Sequence, residues 1–259
     1  MIIGLKGHVA VASITYNQED FVSMLVETTR AQVYDRLISH SIVDDASTDQ
    51  SYNILDKYWS EDHYSYDMNR CLRTTKFESN RGSNAAFDRA IEIAKNPKPE
   101  YVALLEGDDY YYPDKIRRSV EFMEEKGYDA VATDIDADCH DGRGLIKNAW
   151  KSMGIEIPEH ITYEYLSLGN RIYTCTFIAR REVFNDAPTM MEFKKRGYGV
   201  LGDYPLFLWI AKRFKIGYLD EALSVKRELP LSISHNPETY NEFAQIYAKV
   251  VADAQAGLF

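Results

Sequence analysis

The sequence predicts an α/β protein with an open, mostly parallel sheet flanked by helices. Strand-like and helix-like patterns alternate at short spacing through the first half of the chain, the sequence order of a parallel sheet. The run from Tyr101 to Leu105 is apolar throughout, as a strand covered on both faces requires. At 259 residues and 45% apolar content, the chain is long enough for one domain with a sizeable core.

Residues 8–14 form the first apolar strand. Asn17 stands where it caps a helix over residues 18–33, with Phe21, Leu25 and Val26 on its buried face. Residues 37–43 make the second strand, and Ser47-Thr48-Asp49-Gln50 has the capping-box pattern that opens another helix. The third strand covers residues 71–77 and the third helix residues 83–94. After the strand at 101–105, Pro113 suits the first turn of a helix that runs to Lys126. Residues 128–133 are the fifth strand.

The second half is less regular. Gly142, Gly144, Gly154, Pro158 and Gly169 mark loops with short helices between them. Residues 173–179 alternate like a strand, and residues 203–214 read as a helix with Phe207, Trp209, Ile210 and Phe214 for burial. Asn236-Pro237 opens a last helix whose apolar face holds Tyr240, Phe243, Tyr247, Val250 and Val251.

Lys plus Arg number 30 against 40 Asp plus Glu, a net charge of −10. That balance excludes a general nucleic-acid backbone binder and a polybasic membrane-surface protein. No stretch approaches the ~18 apolar residues of a membrane span. The N-terminus lacks the layout of a signal peptide. Cys71, Cys139 and Cys175 are odd in number and without C-x-x-C spacing, so they argue against a zinc ribbon or disulfide framework and for the reducing cytoplasm.

Ligands of open α/β sheets bind beyond the carboxyl ends of the strands. Those ends carry Thr15-Tyr16-Asn17, Asp44-Asp45, Ser79-Asn80-Arg81-Gly82 and Glu106-Gly107-Asp108-Asp109, all polar and all expected on one edge. Glu106, Asp108 and Asp109 repel one another; two like charges ~4 Å apart cost about 4 kcal/mol at an effective dielectric near 20. An isolated acidic turn reads as a solvated loop. Beside three other polar strand ends, it reads as a site for Mg²⁺ or Mn²⁺ bridging a diphosphate. Asp44 or Asp45 can accept hydrogen bonds from a ribose or a base, while Ser47 reads as turn and capping chemistry. There is no G-x-G-x-x-G after the first strand and no P-loop, so dinucleotide enzymes and P-loop NTPases lose support. Asp134, Asp136 and Asp138 alternate, but Cys139 and Leu145 stand where a calcium loop needs Gly and Glu. They read instead as a polar face at the cleft rim.

Four segments carry a resemblance: Val11-Ala-Ser-Ile-Thr-Tyr-Asn17, Ile42-Val-Asp-Asp-Ala-Ser-Thr-Asp49, Asn80-Arg-Gly-Ser-Asn-Ala85 and Leu105-Glu-Gly-Asp-Asp-Tyr110. In this order they resemble the signatures of family 2 glycosyltransferases, inverting enzymes of the GT-A fold. In the second half, residues 174–184 resemble the strand and turn beside the acceptor pocket. Residues 202–209 resemble the segment with the catalytic acid, and Arg227 with residues 232–234 the motif that closes over the donor. The resemblance implies one GT-A domain over residues 1–259: a nucleotide-binding half (1–135), an acceptor-binding half (136–236) and a C-terminal helix (237–259).

It also implies roles. Thr15, Tyr16, Asn17 and Glu19 fall where the first loop meets the nucleotide, Asp44 or Asp45 where an Asp binds base or ribose, and Asn80, Gly82 and Asn84 in the loop under the donor. Asp108 matches the metal-binding acid of the D-x-D element. Glu106 replaces the more frequent Asp at its first position, as a metal ligand or as a contact to the donor sugar. Asp109 matches an acid that orients the donor or a metal-bound water. Asp203 matches the general base, whose plain reading is a helix N-terminal acid. The closing segment has Lys226 and Leu229 where the family often has Tyr and His. That leaves His235 as a substitute metal ligand, and Lys226 and Arg227 to neutralise the diphosphate.

The resemblance implies a sugar moved from a nucleotide donor, most often a UDP-sugar, to a hydroxyl of a glycan or lipid-linked acceptor. The setting implied is bacterial polysaccharide or lipopolysaccharide synthesis, in the cytoplasm or at the inner membrane face through the acceptor. Two alternatives stand beside it: a sugar-phosphate nucleotidyltransferase, and an inactive nucleotide-sugar or carbohydrate-binding module. The first loop lacks the Gly and Arg of the former; acids at both the metal and base positions argue against the latter. The apolar stripe of the last helix fits packing on its own domain or on a second copy.

Overall fold

The computed structural model describes residues 7–62, 69–96, 98–230, 232, 236–237 and 239–259. The first half runs β1 (Val9–Thr15), α1 (Val22–Arg30), β2 (Ile38–Asp44), α2 (Ser51–Asp62), β3 (Arg70–Lys76), α3 (Ser83–Ala94), β4 (Tyr101–Glu106), β5 (Tyr110–Tyr111) and α4 (Lys115–Lys126). The second half runs β6 (Ala130–Cys139), β7 (Gly144–Ile146), α5 (Ala149–Ser152), β8 (His160–Ile161), α6 (Tyr163–Ser167), β9 (Ile178–Arg180), α7 (Met190–Phe193), α8 (Asp203–Ala211), β10 (Ile216–Glu228) and α9 (Tyr240–Gln255).

The sheet order is β3-β2-β1-β4-β9-β6-β10-β5. Strands β3, β2, β1 and β4 are parallel, as are β6 and β10; β9 is antiparallel to β4 and β6 between them. The predicted mostly parallel α/β sheet is therefore present. Side-chain alternation sends Val9 and Val11 toward α1 and α4, and Ala10 and Ala12 toward α3, α8 and α9. Both faces are covered, which is why the strands carry few exposed positions.

Several local expectations are corrected. Helix α1 begins at Val22, not at residue 18, because Asn17 adopts φ +50° and its side chain bonds another loop instead of capping. Helix α2 begins at Ser51 without the Ser47 box; Ser47 accepts from Asn17 N, and Asp49 Oδ1 accepts from Ser51 N. The fifth strand extends to Cys139, so Asp134 and Asp136 are buried strand residues and not a rim. The strand predicted at 173–179 is a single 3₁₀ turn (Thr174–Thr176) followed by β9. Lys115 Nζ enforces that turn by donating to Thr176 O at 2.6 Å. In α9, Val250 and Ala254 are buried with Phe259 against this chain's own core, whereas Tyr240 is exposed.

Candidate active site

The loops after β1 and β2 are stitched together. Asn17 Oδ1 accepts from Thr48 N at 2.8 Å, and Gln18 N donates to Ser51 Oγ at 2.8 Å. Glu19 and the start of α2 bond reciprocally: Glu19 N donates to Asp49 Oδ2 at 3.0 Å, and Gln50 N donates to Glu19 Oε2 at 2.8 Å. The side chains of Asn17 and Glu19 are thus engaged within the protein, while Tyr16 is 45% exposed at the edge. The two aspartates differ. Asp45 accepts from the backbone nitrogens of Arg81 (2.7 Å) and Gly82 (2.8 Å), holding the loop before α3. Asp44 Oδ1 accepts from Ser47 N at 2.9 Å, but among the described residues its buried Oδ2 has no partner. Asn80 is exposed on that loop, and Gly82 takes φ +87° at the entry to α3.

Beyond β4, Gly107 lets the chain pass beneath the first loop. A Cβ there would lie 2.2 Å from Gln18 Oε1 and 2.7 Å from Ile14 O. Gln18 Oε1 accepts from Thr15 Oγ1 at 2.9 Å, and the Gln18 side chain bonds the Asp108 carboxylate. Gln18 was not expected in the site; its role depends on a contact between residues 90 apart in sequence, which no local pattern reveals. Burial and the neighbouring Asp109 and Asp108 charges push Glu106 up to about 8. Burial and Asp108 push Asp109 up to about 7, and burial raises Asp108 as well. Cys175, held by the turn before β9, adjoins Asp109 as a neutral thiol, its own acidity suppressed by burial and by that carboxylate. Asp109 Oδ1 accepts from Arg227 N at 2.9 Å, and its Oδ2 is buried without a sound hydrogen bond.

Strand β10 delivers the cations. Irregular pairing with β6 between Leu219 and Val225 brings Lys226 and Arg227 alongside the acids. Arg227 is buried between Phe21 (4.9 Å) and Tyr110 (4.8 Å), donates to Asp108 O and lies 3.7 Å from Asp138. Its guanidinium therefore braces the acidic turn. Lys226 Nζ lies 5.4 Å from the Tyr173 ring centre. Burial alone would lower its pKa, but Asp109, Tyr173 and Glu106 outweigh that and hold it well protonated.

Asp203 opens α8. Burial raises its pKa, partly offset by the Tyr204 and Asp203 backbone amides, and its charge is felt at Glu106. Asn84 does not face open cleft: it is buried and donates to Gly199 O at 2.8 Å, tying α3 to the segment leading into α8. Gly202 permits this approach, since a Cβ there would meet Asn84 Oδ1 at 2.6 Å and Met190 Cβ at 2.5 Å. His235 lies outside the described residues.

The acids after β4 thus sit at the sheet's carboxyl edge, beside the loop after β1, and the charge of Asp203 reaches Glu106. The Glycosyl transferase family 2 model matches residues 10–187. The chain belongs to that family. TuaG of Bacillus subtilis, a glycosyltransferase provisionally named for teichuronic acid biosynthesis, is 30% identical over 212 residues, 76% of each chain. The structure of Staphylococcus aureus TarS residues 1–349 with UDP-GlcNAc aligns with TM-score 0.64 and 20% identity over 94% of this chain and 66% of that one. The mannosyltransferase PcManGT of Pyrobaculum calidifontis, with GDP-Man and Mn²⁺, aligns with TM-score 0.62 and 16% identity over 99% of this chain and 75% of that one. These neighbours share the GT-A fold. Family 2 membership makes the chain a glycosyltransferase, of the bacterial polysaccharide type, and sets the nucleotidyltransferase and inactive-module alternatives aside.

The acids suit a hard divalent ion. Asp108 keeps a half-buried carboxylate at the turn, beside Glu106. Among the described residues no group of three His, Cys, Asp or Glu side chains is placed to hold a metal ion. An Mg²⁺-type ion takes one or two carboxylates and completes its shell with substrate phosphates and water. No helix among the described residues is long and apolar enough to cross a membrane.

Proposed function

We propose that this family 2 glycosyltransferase moves a sugar, with inversion, from a nucleoside diphosphate donor to a hydroxyl of a glycan or lipid-linked acceptor. The observation that carries this reading is the turn of Glu106, Asp108 and Asp109 at the sheet's carboxyl edge, with the charge of Asp203, at the start of α8, felt at Glu106. UDP is the proposed nucleotide, since TarS, a structural neighbour, binds UDP-GlcNAc.

In this reading Asp44 Oδ2, buried and unpartnered, accepts from the base or ribose. Thr15 and Tyr16 line the same edge, while Asn17, Glu19, Asp45, Asn80, Gly82 and Asn84 shape it. Lys226 offsets the diphosphate's charge. Asp203 takes the acceptor hydroxyl's proton as its oxygen bonds the anomeric carbon; the bond from that carbon to the diphosphate oxygen breaks, and the electron pair leaves with the nucleotide. A raised Asp203 pKa brings its basicity closer to the working pH. Asp108, with Glu106 as a second ligand or sugar contact, would hold Mn²⁺ or Mg²⁺. The ion would supply electrostatic stabilisation of the leaving diphosphate. The proposed setting is the cytoplasm, at the inner membrane face where the acceptor is lipid-linked.

A panel of sugar nucleotides assayed for nucleoside diphosphate release tests the reading. Release from one donor, abolished in Asp203→Asn, is expected; release of sugar phosphate that requires pyrophosphate would contradict it.

A further inference from the structure

A cavity of about 600 Å³ opens between α3 and the segment from Phe184 to Met191, away from the carboxylate cluster. Phe184, Pro188 and Met191 line it together with Arg81, Arg89 and Lys95, and Lys95 Nζ donates to Phe184 O at 3.2 Å. The acids beside it are already engaged. Asp88 accepts from Met190 N and Met191 N at 2.7 and 3.0 Å, Glu92 pairs with Arg89 at 2.9 Å, and Glu192 accepts from Thr189 N at 2.7 Å.

The cations toward the donor loop stack on rings or stand exposed, and among the described residues they make no ion pair. Arg81 stacks 4.9 Å from the Phe77 ring, and among the described residues no carboxylate pairs with it. Across the loop, Lys194 Nζ would lie 4.0 Å from a Cβ placed on Gly82. Lys194, Lys195 and Arg196 are consecutive and exposed, and among the described residues none has an ion-pair partner. They lie on a π-helical turn (Lys194–Tyr198) between α7 and α8, interrupted by Gly197 at φ +89°. Arg81 and Lys194 therefore put positive charge at the donor loop, and Lys195 and Arg196 extend it along the same segment, in a chain of net charge −10. The same segment leads directly to Asp203.

We propose that this cavity and its basic mouth bind an anionic glycan acceptor, a sugar chain bearing phosphate or carboxylate groups. The inference rests on the glycosyltransferase reading and specifies its acceptor class. Arg81 and Lys194–Arg196 take the acidic groups, the apolar walls take the faces of the sugar rings, and the chain is led toward Asp203. Exposed charges of this kind act in a salt-dependent way and select by sign of charge.

The test is calorimetric binding of oligogalacturonate and a neutral glucose oligomer of equal length to the full chain, at low and high salt. The wild type is expected to bind the uronate at least about tenfold more tightly, with the advantage shrinking in high salt. The triple variant K194Q/K195Q/R196Q should lose that preference while its affinity for UDP stays within about twofold. A variant of equal charge change elsewhere, K57Q/K98Q/K215Q, should keep it. Equal binding of the two oligomers, or an unaltered preference in the first variant, overturns the proposal. So does tighter, patch-dependent binding to phosphatidylglycerol vesicles, which would make the patch a membrane contact. UDP titrated into the wild type separates the two readings: UDP bound without uronate preference fails only the acceptor assignment. Uronate preference without UDP binding fails the donor assignment instead.

Discussion

Asp45 and Gly82 are joined by a 2.8 Å hydrogen bond from the Gly82 amide to Asp45 Oδ2, and the Arg81 amide fills Oδ1 at 2.7 Å. The neighbouring Asp44 leaves its Oδ2 buried and unpartnered. Two adjacent aspartates thus differ, one fixing a loop and one proposed to accept from the nucleotide. Asp45→Ala should cost about 2–4 kcal/mol, since bonds to a charged acceptor are worth about 1.5–3 kcal/mol each. At about 2–4 °C per kcal/mol for a chain near this size, the melting temperature should drop by roughly 5–15 °C. Asp44→Asn keeps the Ser47 bond, so it should leave melting nearly unchanged and weaken UDP binding about tenfold in calorimetry. The opposite pattern would exchange the two roles.

Gly107 is the second lever. Ala there drives a Cβ against the Gln18 side chain and against the Ile14 carbonyl, which is backbone and cannot swing away. Overpacking of this kind typically costs about 1–3 kcal/mol. Gly107→Ala should lower both the melting temperature and UDP affinity. Gln18→Ala removes the obstruction, so the double variant should recover part of the lost stability; no recovery would place the clash elsewhere.

Two buried histidines should each contribute an acid-sensitive term to stability. His8 bonds Ser39 Oγ at 2.9 Å and His40 bonds Ser13 Oγ at 2.8 Å, across the paired strands β1 and β2. Burial, with a smaller effect from Arg73, lowers His8 to about 4; burial, with Arg30, lowers His40 to about 3. Below the unfolded value of 6.5, the unfolded chain takes up protons that the folded chain refuses. Each histidine's contribution to stability therefore falls with falling pH, at up to about 1.4 kcal/mol per pH unit, until the folded pKa is reached. The buried Glu106 and Asp109 carboxyls, raised to about 8 and about 7, act in the opposite sense over the same range, so the histidine share is read by difference: in denaturant melts from pH 7 to 4, His40→Gln, which keeps a partner for Ser13, should gain on wild type by up to about 1.4 kcal/mol per pH unit as the pH falls. An unchanged slope in that variant would rule His40 out as a source.

The fold and the site were legible to different depths. Alternating patterns and the apolar run at Tyr101 to Leu105 were enough for the parallel sheet, because those signals are local and periodic. The acidic turn at Glu106, Gly107, Asp108 and Asp109 stood out because the carboxyl ends of parallel strands share one edge. What the sequence hid depends on distant contacts. Arg227 offered itself as a diphosphate ligand, but its burial between Phe21 and Tyr110 makes it a brace. Cys175 meets Asp109, and Tyr173 meets Lys226, only because β9 and β10 enter the sheet beside β4 and β6. Asn17 misled in the other direction: its side chain suits a helix cap, and Thr48 from the next loop claims it.

The central claim is that Asp203 is the general base facing a nucleotide-diphosphate site. It is tested most directly by comparing UDP binding and sugar transfer in wild type and Asp203→Asn, once a donor has been found by nucleoside diphosphate release. The account predicts UDP affinity within about twofold of wild type and a fall in turnover of about 10²–10⁴-fold, the usual contribution of a general base. Turnover close to wild type in Asp203→Asn would contradict it.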